Sequence, residues 1–300
     1  LCFSGDELVG GAAFECDERR VGPWSLERVR CVGQGPLAPD HLDLIATHEH
    51  HLGVARAVLG WLRRPGARIV ELDGLAADGT LATVLAGHEV ERSPAPFARL
   101  TPDADAYLAA RPGALRSTIK RAGNRFTKQG ATFVRVDAAG AAAALERLSQ
   151  LHDGRWGEGS VFLRRWERVR DAALDGIASG DVVLFELRDA DGEAVASELD
   201  LRAGTTVSFY QAGRRTEREW RGCGSVLRAR IISDVAADGV EEYDLLRGDE
   251  SYKADWATGR RELVRIRLTV GALAVATVRV LDRRAARRAA QGSAAQGSAA

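Results

Sequence analysis

The 300-residue sequence has no methionine, and nearly all of its basic residues are arginine. Lysine occurs only at Lys120, Lys128 and Lys253. Such a bias reflects base composition, so a lysine kept against it is a candidate for work that needs a compact, titratable ammonium. Cysteine is scarce as well. Cys2, Cys16, Cys31 and Cys223 form no C-x-x-C pair, which argues against a zinc knuckle, and free thiols point to a reducing, cytoplasmic setting. No apolar run approaches the length of a membrane span, and no signal-peptide pattern opens the chain. Net charge is also missing: 42 basic side chains balance 42 acidic ones. A neutral chain has no overall field to draw it to DNA or to a membrane surface. With Leu1 first and no methionine, the start is expected to be a truncated or processed one.

The chain is otherwise of ordinary globular composition, long enough for two domains or one large one. Residues 8–14, 26–32, 42–46 and 68–72 read as strands, and residues 48–61 and 76–86 as helices. The run Thr47-His48-Glu49-His50-His51 invites a metal reading. Helical ligands usually stand four apart, as in H-E-x-x-H, whereas His48 and His51 stand three apart, so this is read as a solvated helix start and no metal is expected. Residues 93–102 carry Pro94, Pro96 and Pro102 and are the candidate linker.

A short helix at 103–111 is followed by a longer one at 113–129, stopped by Gly130. At 100° per residue Arg121, Arg125 and Lys128 share a face of it, next to a row of Arg116 and Lys120. Such a face either grips an anion or is simply solvated. A strand at 131–136 leads to an alanine-rich helix at 139–151, which ends in Leu151-His152-x-x-Arg155-Trp156. After a helix at 162–177, strands at 181–188, 194–202 and 205–211 form a meander with turns at Asp191-Gly192 and Ala203-Gly204. Alternation within the middle strand sets Glu198 and Asp200 on the face opposite Leu199 and Leu201. Glu198 is then either a general base or an exposed strand carboxylate.

The chain is organised around the stretch from Gln211 to Trp256. Gly222-Cys223-Gly224 opens a helix with Val226, Leu227, Ile231 and Val235 toward a core, Gly239 stops it, and residues 240–246 read as a strand. Small residues before a helix let a ligand reach the bare N–H groups at its start, which suit a phosphate. The same pattern also serves as a tight strand-to-helix turn with no ligand. Beyond the strand lies Gly248-x-Glu250-x-Tyr252-Lys253-x-x-Trp256.

The glycine at the helix start, the Asp244-Leu245-Leu246 strand and this last motif together resemble the acetyltransferase-like branch of the GNAT superfamily. That branch includes proteins associated with cellulose and exopolysaccharide synthesis and is related to the Fem-type aminoacyl transferases. The resemblance runs from about residue 103 to 268. It implies an α/β (α+β) fold of tandem GNAT-like mixed sheets flanked by helices. Residues 1–100 are then an incomplete first unit, 101–282 the acyltransferase domain, and 283–300 a basic helix end with a disordered, low-complexity tail.

It also implies acetyl-CoA or another acyl-CoA as donor, its pyrophosphate on the backbone of Gly222, Cys223, Gly224, Ser225, Val226 and Leu227. The acceptor is a small molecule or glycan offering an amine or hydroxyl. Lys253 is the leading catalytic candidate, with Tyr252 beside it, Glu198 as base and His152 as acid or base; Lys253→Ala is then expected to abolish turnover at nearly unchanged melting temperature. Arg121, Arg125, Lys128 and Arg155 are the substrate-binding candidates. One residue departs from the family pattern. The usual phosphate loop is Gln/Arg-x-x-Gly-x-Gly/Ala, and Glu219 stands in its first place, where a carboxylate is unfavourable beside a pyrophosphate. Two alternatives therefore stand: a Fem-type transferase taking an aminoacyl group from charged tRNA, and a degenerate transferase fold that acts as a binding partner.

Overall fold

The computed structural model describes residues 1–35, 39–157, 160 and 162–297, the side chains of residues 155, 156 and 288–297 excepted. The chain divides into two compact units, Leu1–Ser93 with Glu262–Ala300, and Pro94–Arg261.

In the first unit Phe14–Val21 and Trp24–Cys31 pair antiparallel, Trp24–Cys31 runs parallel to Arg68–Ala76, and Arg68–Ala76 pairs antiparallel with residues 263–270. The helix His51–Leu62 buries Val54, Ala55, Val58 and Leu62, the three- and four-residue spacing of one helical face, against Val29, Val70, Leu72 and Leu75. The helix expected over 76–86 shrinks to Thr80–Val84. Its start is fixed from a distance: the Thr80 and Leu81 amides donate to the Asp43 carboxylate at 2.6 and 2.8 Å, while the preceding strand holds residues up to Ala76. At the far end the helix Ala272–Gly297 runs into the repeat expected to be disordered, as a segment rich in alanine and arginine can.

The second unit holds a mixed sheet in the order of residues 94–99, Glu242–Asp244, Thr206–Arg214, Ala194–Ala203, Val182–Arg188 and Thr132–Arg135. All neighbours are antiparallel except Thr206–Ser208, which runs parallel to Glu242–Asp244. The helices Gly113–Lys128 and Cys223–Ala237 cover one face through Phe126, Leu227, Ile231 and Val235. Ala141–Trp156 and Trp166–Ser179 cover the other through Leu145, Leu148 and Ala173. The central strand Ala194–Ala203 is therefore buried on both sides over most of its length.

Three sequence expectations change here. The proline-rich stretch, within which the two units divide, is no irregular connector, because Glu89–Arg99 is an 11-residue strand. Pro94 and Pro96 are two apart, so their carbonyls point the same way, and they accept from the Gly248 and Leu245 amides at 2.8 and 3.0 Å. The strand expected over 240–246 narrows to Glu242–Asp244, since Leu246 (φ +57°) and Gly248 (φ +120°) turn the backbone out of it. The alanine-rich helix runs on to Trp156, so His152 is a helical residue. Among the described residues no helix is long and apolar enough to cross a membrane.

Candidate active site

The glycine turn is built as tightly as a ligand-accepting helix start requires. Gly222 has φ +93°, and a Cβ there would stand 3.0 Å from Ala122 Cβ and 3.4 Å from Thr118 Cγ2, on the neighbouring helix. Only glycine meets both conditions at no steric cost. Just before it, Trp220 is buried with its ring 5.3 Å from Phe126, which anchors the turn to the core. No side chain caps the helix Cys223–Ala237. Its first bond is from the Val226 amide to the Gly222 carbonyl at 3.0 Å, so the Cys223, Gly224 and Ser225 amides precede it at the positive end of the helix dipole. The Cys223 thiol is fully buried and burial pushes its pKa up, so that residue offers its backbone and not a nucleophile. Glu219 is exposed on the short turn Arg218–Trp220.

The strand that feeds this turn has an open side. Thr206–Arg214 pairs with its parallel neighbour only from Thr206 to Ser208; over residues 209–214 its only strand partner among the described residues is Ala194–Ala203. Leu199 faces Gln211 and Asp200 faces Phe209, which leaves Tyr210 as a bulge where the two parallel strands part. A bulge re-aims the strand and its side chains.

Beneath that gap lies a buried polar network. Glu198, Asp200, Tyr243 and Arg228 are all buried. Arg228 donates to Glu198 through Nε at 3.3 Å and Nη2 at 2.9 Å. The Tyr243 hydroxyl donates to Glu198 Oε1 in a short bond and lies 3.4 Å from Asp200 Oδ2, while Asp200 Oδ1 has no partner. Burial, with the Glu198 charge added, pushes the Asp200 carboxyl well up toward its protonated form. Burial opposes the Arg228 charge, but Glu198 and Tyr243 outweigh it and hold the guanidinium protonated. Its Cζ lies over two rings, 4.1 Å from the Phe209 ring centroid and 5.5 Å from that of Tyr252, which is 40% exposed. Glu198 is thus not an exposed strand carboxylate; it is the counter-charge of a buried cation.

Of the residues predicted from sequence, Glu198 and Tyr252 meet at Arg228. Lys253 stands next to Tyr252 on the short helix Ser251–Trp256, but its ammonium is buried and turned to the chain. It donates to the Leu246 carbonyl at 3.3 Å, to the Arg247 carbonyl, and to Glu250 at 2.9 Å. An ammonium has three donors, and here they meet three acceptors that brace the turned-out backbone at Leu246. The acceptors are not Asp249 or Asp255, the partners that strand-capping would have used.

His152 belongs to the helix layer on the other face of the sheet from Arg228. Its Nε2 lies 3.0 Å from Ser160 Oγ and its Nδ1 3.3 Å from the Ala212 carbonyl, with Phe162 packed on the ring. The structure therefore does not bring His152 together with Glu198. Arg121 and Arg125 line one cleft with Thr118, Ala122, Arg218 and Arg221; Lys128 is exposed outside it, and the Arg155 side chain lies outside the described residues.

Sequence reasoning missed Arg218, Arg221, Arg228, Tyr243 and Phe209. A signal existed for one of them. Arg228 falls on the apolar stripe of its helix with Ile231 and Val235, and a charge in that register calls for a buried counter-charge. Among the described residues no group of three or more His, Cys, Asp or Glu is placed to hold a metal.

Residues 113–254, the stretch that carries this geometry, match the family model described as an Acetyltransferase (GNAT) domain. Solved structures share the fold over most of the chain. FemX is 13% identical, with 88% of this chain and 86% of that one covered and a TM-score of 0.58. The C-terminal domain (DUF2156) of a putative lysylphosphatidylglycerol synthetase from Agrobacterium fabrum is 14% identical, with 88% and 83% covered and a TM-score of 0.53. L-PGS from Bacillus licheniformis is 12% identical, with 84% and 80% covered and a TM-score of 0.51. A comparison with curated proteins returns no match. The protein has a GNAT-like fold of mixed sheets flanked by helices, similar to that of FemX. At these identities the solved structures carry the fold alone, and the domain match supports acyl transfer as the broad class of chemistry.

Proposed function

We propose that the protein moves an acyl group, in the simplest case acetyl, from acyl-CoA to an amine or hydroxyl of a small-molecule or glycan acceptor. The observation that carries this is the uncapped helix start at Gly222 beside a strand edge that loses its partner after Ser208. The residues present fit such a donor. The Cys223, Gly224 and Ser225 amides suit its pyrophosphate, and the Gly222 turn leaves the backbone bare where a Cβ would intrude. The unpaired edge of residues 209–214 suits an extended, amide-bearing arm, which hydrogen-bonds as an added strand does.

In the transfer, the acceptor nitrogen or oxygen attacks the thioester carbonyl carbon and loses its proton, the C–S bond breaks, and the thiol leaves. The protein's part is to hold both partners in line and to place donors near the developing oxyanion. Tyr252 is the candidate proton carrier, since its ring lies over Arg228 and reaches solvent. Polysaccharide or cell-envelope synthesis in the cytoplasm is the proposed setting, after the branch the sequence resembles. Calorimetry with acetyl-CoA tests the donor. Binding with thermal stabilisation, about 2.7 kcal/mol at a hundredfold excess over Kd, is the expected result; no heat and no stabilisation contradict it and favour the degenerate binding protein.

A second reading rests on the coverage of FemX, 88% of this chain at a TM-score of 0.58. In a Fem-type reaction the donor is charged tRNA, and Arg121, Arg125 and Lys128 contact phosphate; Lys253, bonded to the chain, holds the backbone at Leu246 and Arg247 in place. Retention of the protein on charged RNA and not on CoA resin selects that reading.

A further inference from the structure

Many described arginines of this neutral chain have a counter-charge: Arg68 pairs with Glu27, Arg147 and Arg188 with Glu186, Arg228 with Glu198, and Arg267 with Glu71. Four that converge on one place have none. Arg121 and Arg125 from the helix Gly113–Lys128, and Arg218 and Arg221 from the turn before Gly222, line a cleft of about 430 Å³ with Thr118 and Ala122. No carboxylate lines it, and among the described residues none of the four forms an ion pair. Glu217 and Glu219 lie on the same turn but are exposed, with no ion pair to these arginines.

The cleft is built, not incidental. Arg125 Nη2 donates to the Arg221 carbonyl at 2.6 Å, its guanidinium lies 4.8 Å from the Phe126 ring centroid, and its Nε is buried without a partner. Arg121 Nε reaches the Ser117 carbonyl at 3.3 Å, which leaves its two Nη groups for the cleft. Bringing four like charges together without a counter-ion is unfavourable, so an arrangement held this way awaits an anion. Guanidinium forks match the oxygens of a phosphate, and several of them favour a dianionic phosphomonoester over a monoanionic diester.

The cleft also abuts the helix start. Thr118 and Ala122, which line it, are the two residues a Cβ on Gly222 would touch. An anion in the cleft is therefore a neighbour of one on the Cys223–Ser225 amides, and a single ligand with two phosphate groups can reach both. We propose that the four-arginine cleft is a subsite for a phosphomonoester on the donor nucleotide, separate from the helix start that takes the diphosphate, and that it makes the protein selective for a 3′-phosphorylated donor. This rests on the acyl-CoA reading above and deepens it.

Calorimetry on the full chain tests it with four probes: CoA, dephospho-CoA, adenosine 3′,5′-bisphosphate and adenosine 5′-monophosphate. CoA is expected to bind at least ~10-fold tighter than dephospho-CoA, and the bisphosphate to exceed the monophosphate by a similar factor. In an Arg121→Ala/Arg218→Ala double variant, whose circular-dichroism melt checks that it folds, both ratios are expected to fall toward one. Equal affinities in the wild-type chain, or ratios that survive in a folded double variant, overturn the subsite. So does an RNA oligonucleotide without a terminal phosphate that displaces the bisphosphate as well as CoA does, since the cleft would then take backbone diesters. Failure of the subsite and failure of the donor reading are distinguishable. If dephospho-CoA binds and supports transfer as well as CoA, the cleft inference is lost and the acyl-CoA reading stands. If the bisphosphate preference holds while acetyl-CoA gives no transfer, the cleft stands and the donor chemistry is lost.

Discussion

Arg221 and Arg228 stand on either side of one helix start, and they could hardly be held more differently. Arg228 is buried, forked onto Glu198 and lies over the rings of Phe209 and Tyr252. Arg221 is exposed, and with Arg121, Arg125 and Arg218 it lines a cleft that holds no carboxylate. The contrast teaches that in an arginine-rich chain the number of cations says little, and the reach of the nearest carboxylate decides each one's work. A cation that has its counter-charge inside the fold is part of the fold. A group of cations without one is available to a ligand.

The largest effect that separates the two is expected at Glu198. Glu198→Ala strands Arg228 as a buried, unpaired charge and is expected to cost about 3–5 kcal/mol, read as a lowered urea midpoint. A loss below about 1 kcal/mol would show that water already reaches Arg228 and that the network is not a core feature. At the junction between the regions, Gly222→Ala puts a Cβ against Ala122 at φ +93°. A cost of about 1–3 kcal/mol is expected together with weaker CoA binding; an unchanged melt would mean that the two helices separate easily.

Lys253 sharpens the division further. With its ammonium bonded to two carbonyls and Glu250, Lys253→Ala is expected to cost about 1–3 kcal/mol, in contrast to the unchanged melting temperature that sequence reasoning attaches to this variant. Lost turnover at an unaltered melt would return the residue to the chemistry.

Asp200 gives a pH-dependent test of the buried region. Its folded pKa is raised above 3.8, first by burial and then by Glu198. The folded chain therefore holds a proton that the unfolded chain has already released, and its contribution to stability declines as pH rises from the unfolded value through the folded one. Asp200→Asn is expected to remove that decline, seen as a flatter dependence of the urea midpoint as pH rises above the ordinary carboxylate range. An unchanged slope would mean that Asp200 is ionised in the fold. The smallest expected effect belongs to the cleft: Arg121→Ala/Arg218→Ala should stay within about 0.5 kcal/mol of the parent, because no counter-charge is stranded.

Much of the second unit is legible in the residues alone. The helix from Gly113, the three-strand meander and the glycine-led helix come from periodicity and turn residues, which are local signals. What escaped was set by distant partners. The prolines at 94 and 96 looked like a linker because sequence does not show that only their carbonyls are needed. Alternation placed Glu198 and Asp200 on one face, but not beneath a helix that buries them. Nothing local announces that Asp43 caps a helix beginning at Thr80, or that Glu262–Ala300 returns to the first unit. In the site, Arg121 and Arg125 were read from their shared helical face, while Arg218 and Arg221 required knowing that the turn before Gly222 folds back onto it.

The most direct measurement is a calorimetric titration of the wild-type chain with acetyl-CoA at two salt concentrations. Binding is expected whose affinity drops as salt rises, because salt screens the attraction between the donor's phosphates and the helix start and unpaired arginines. No binding at low salt, or an affinity indifferent to salt, would contradict a phosphate-bearing donor held at this site.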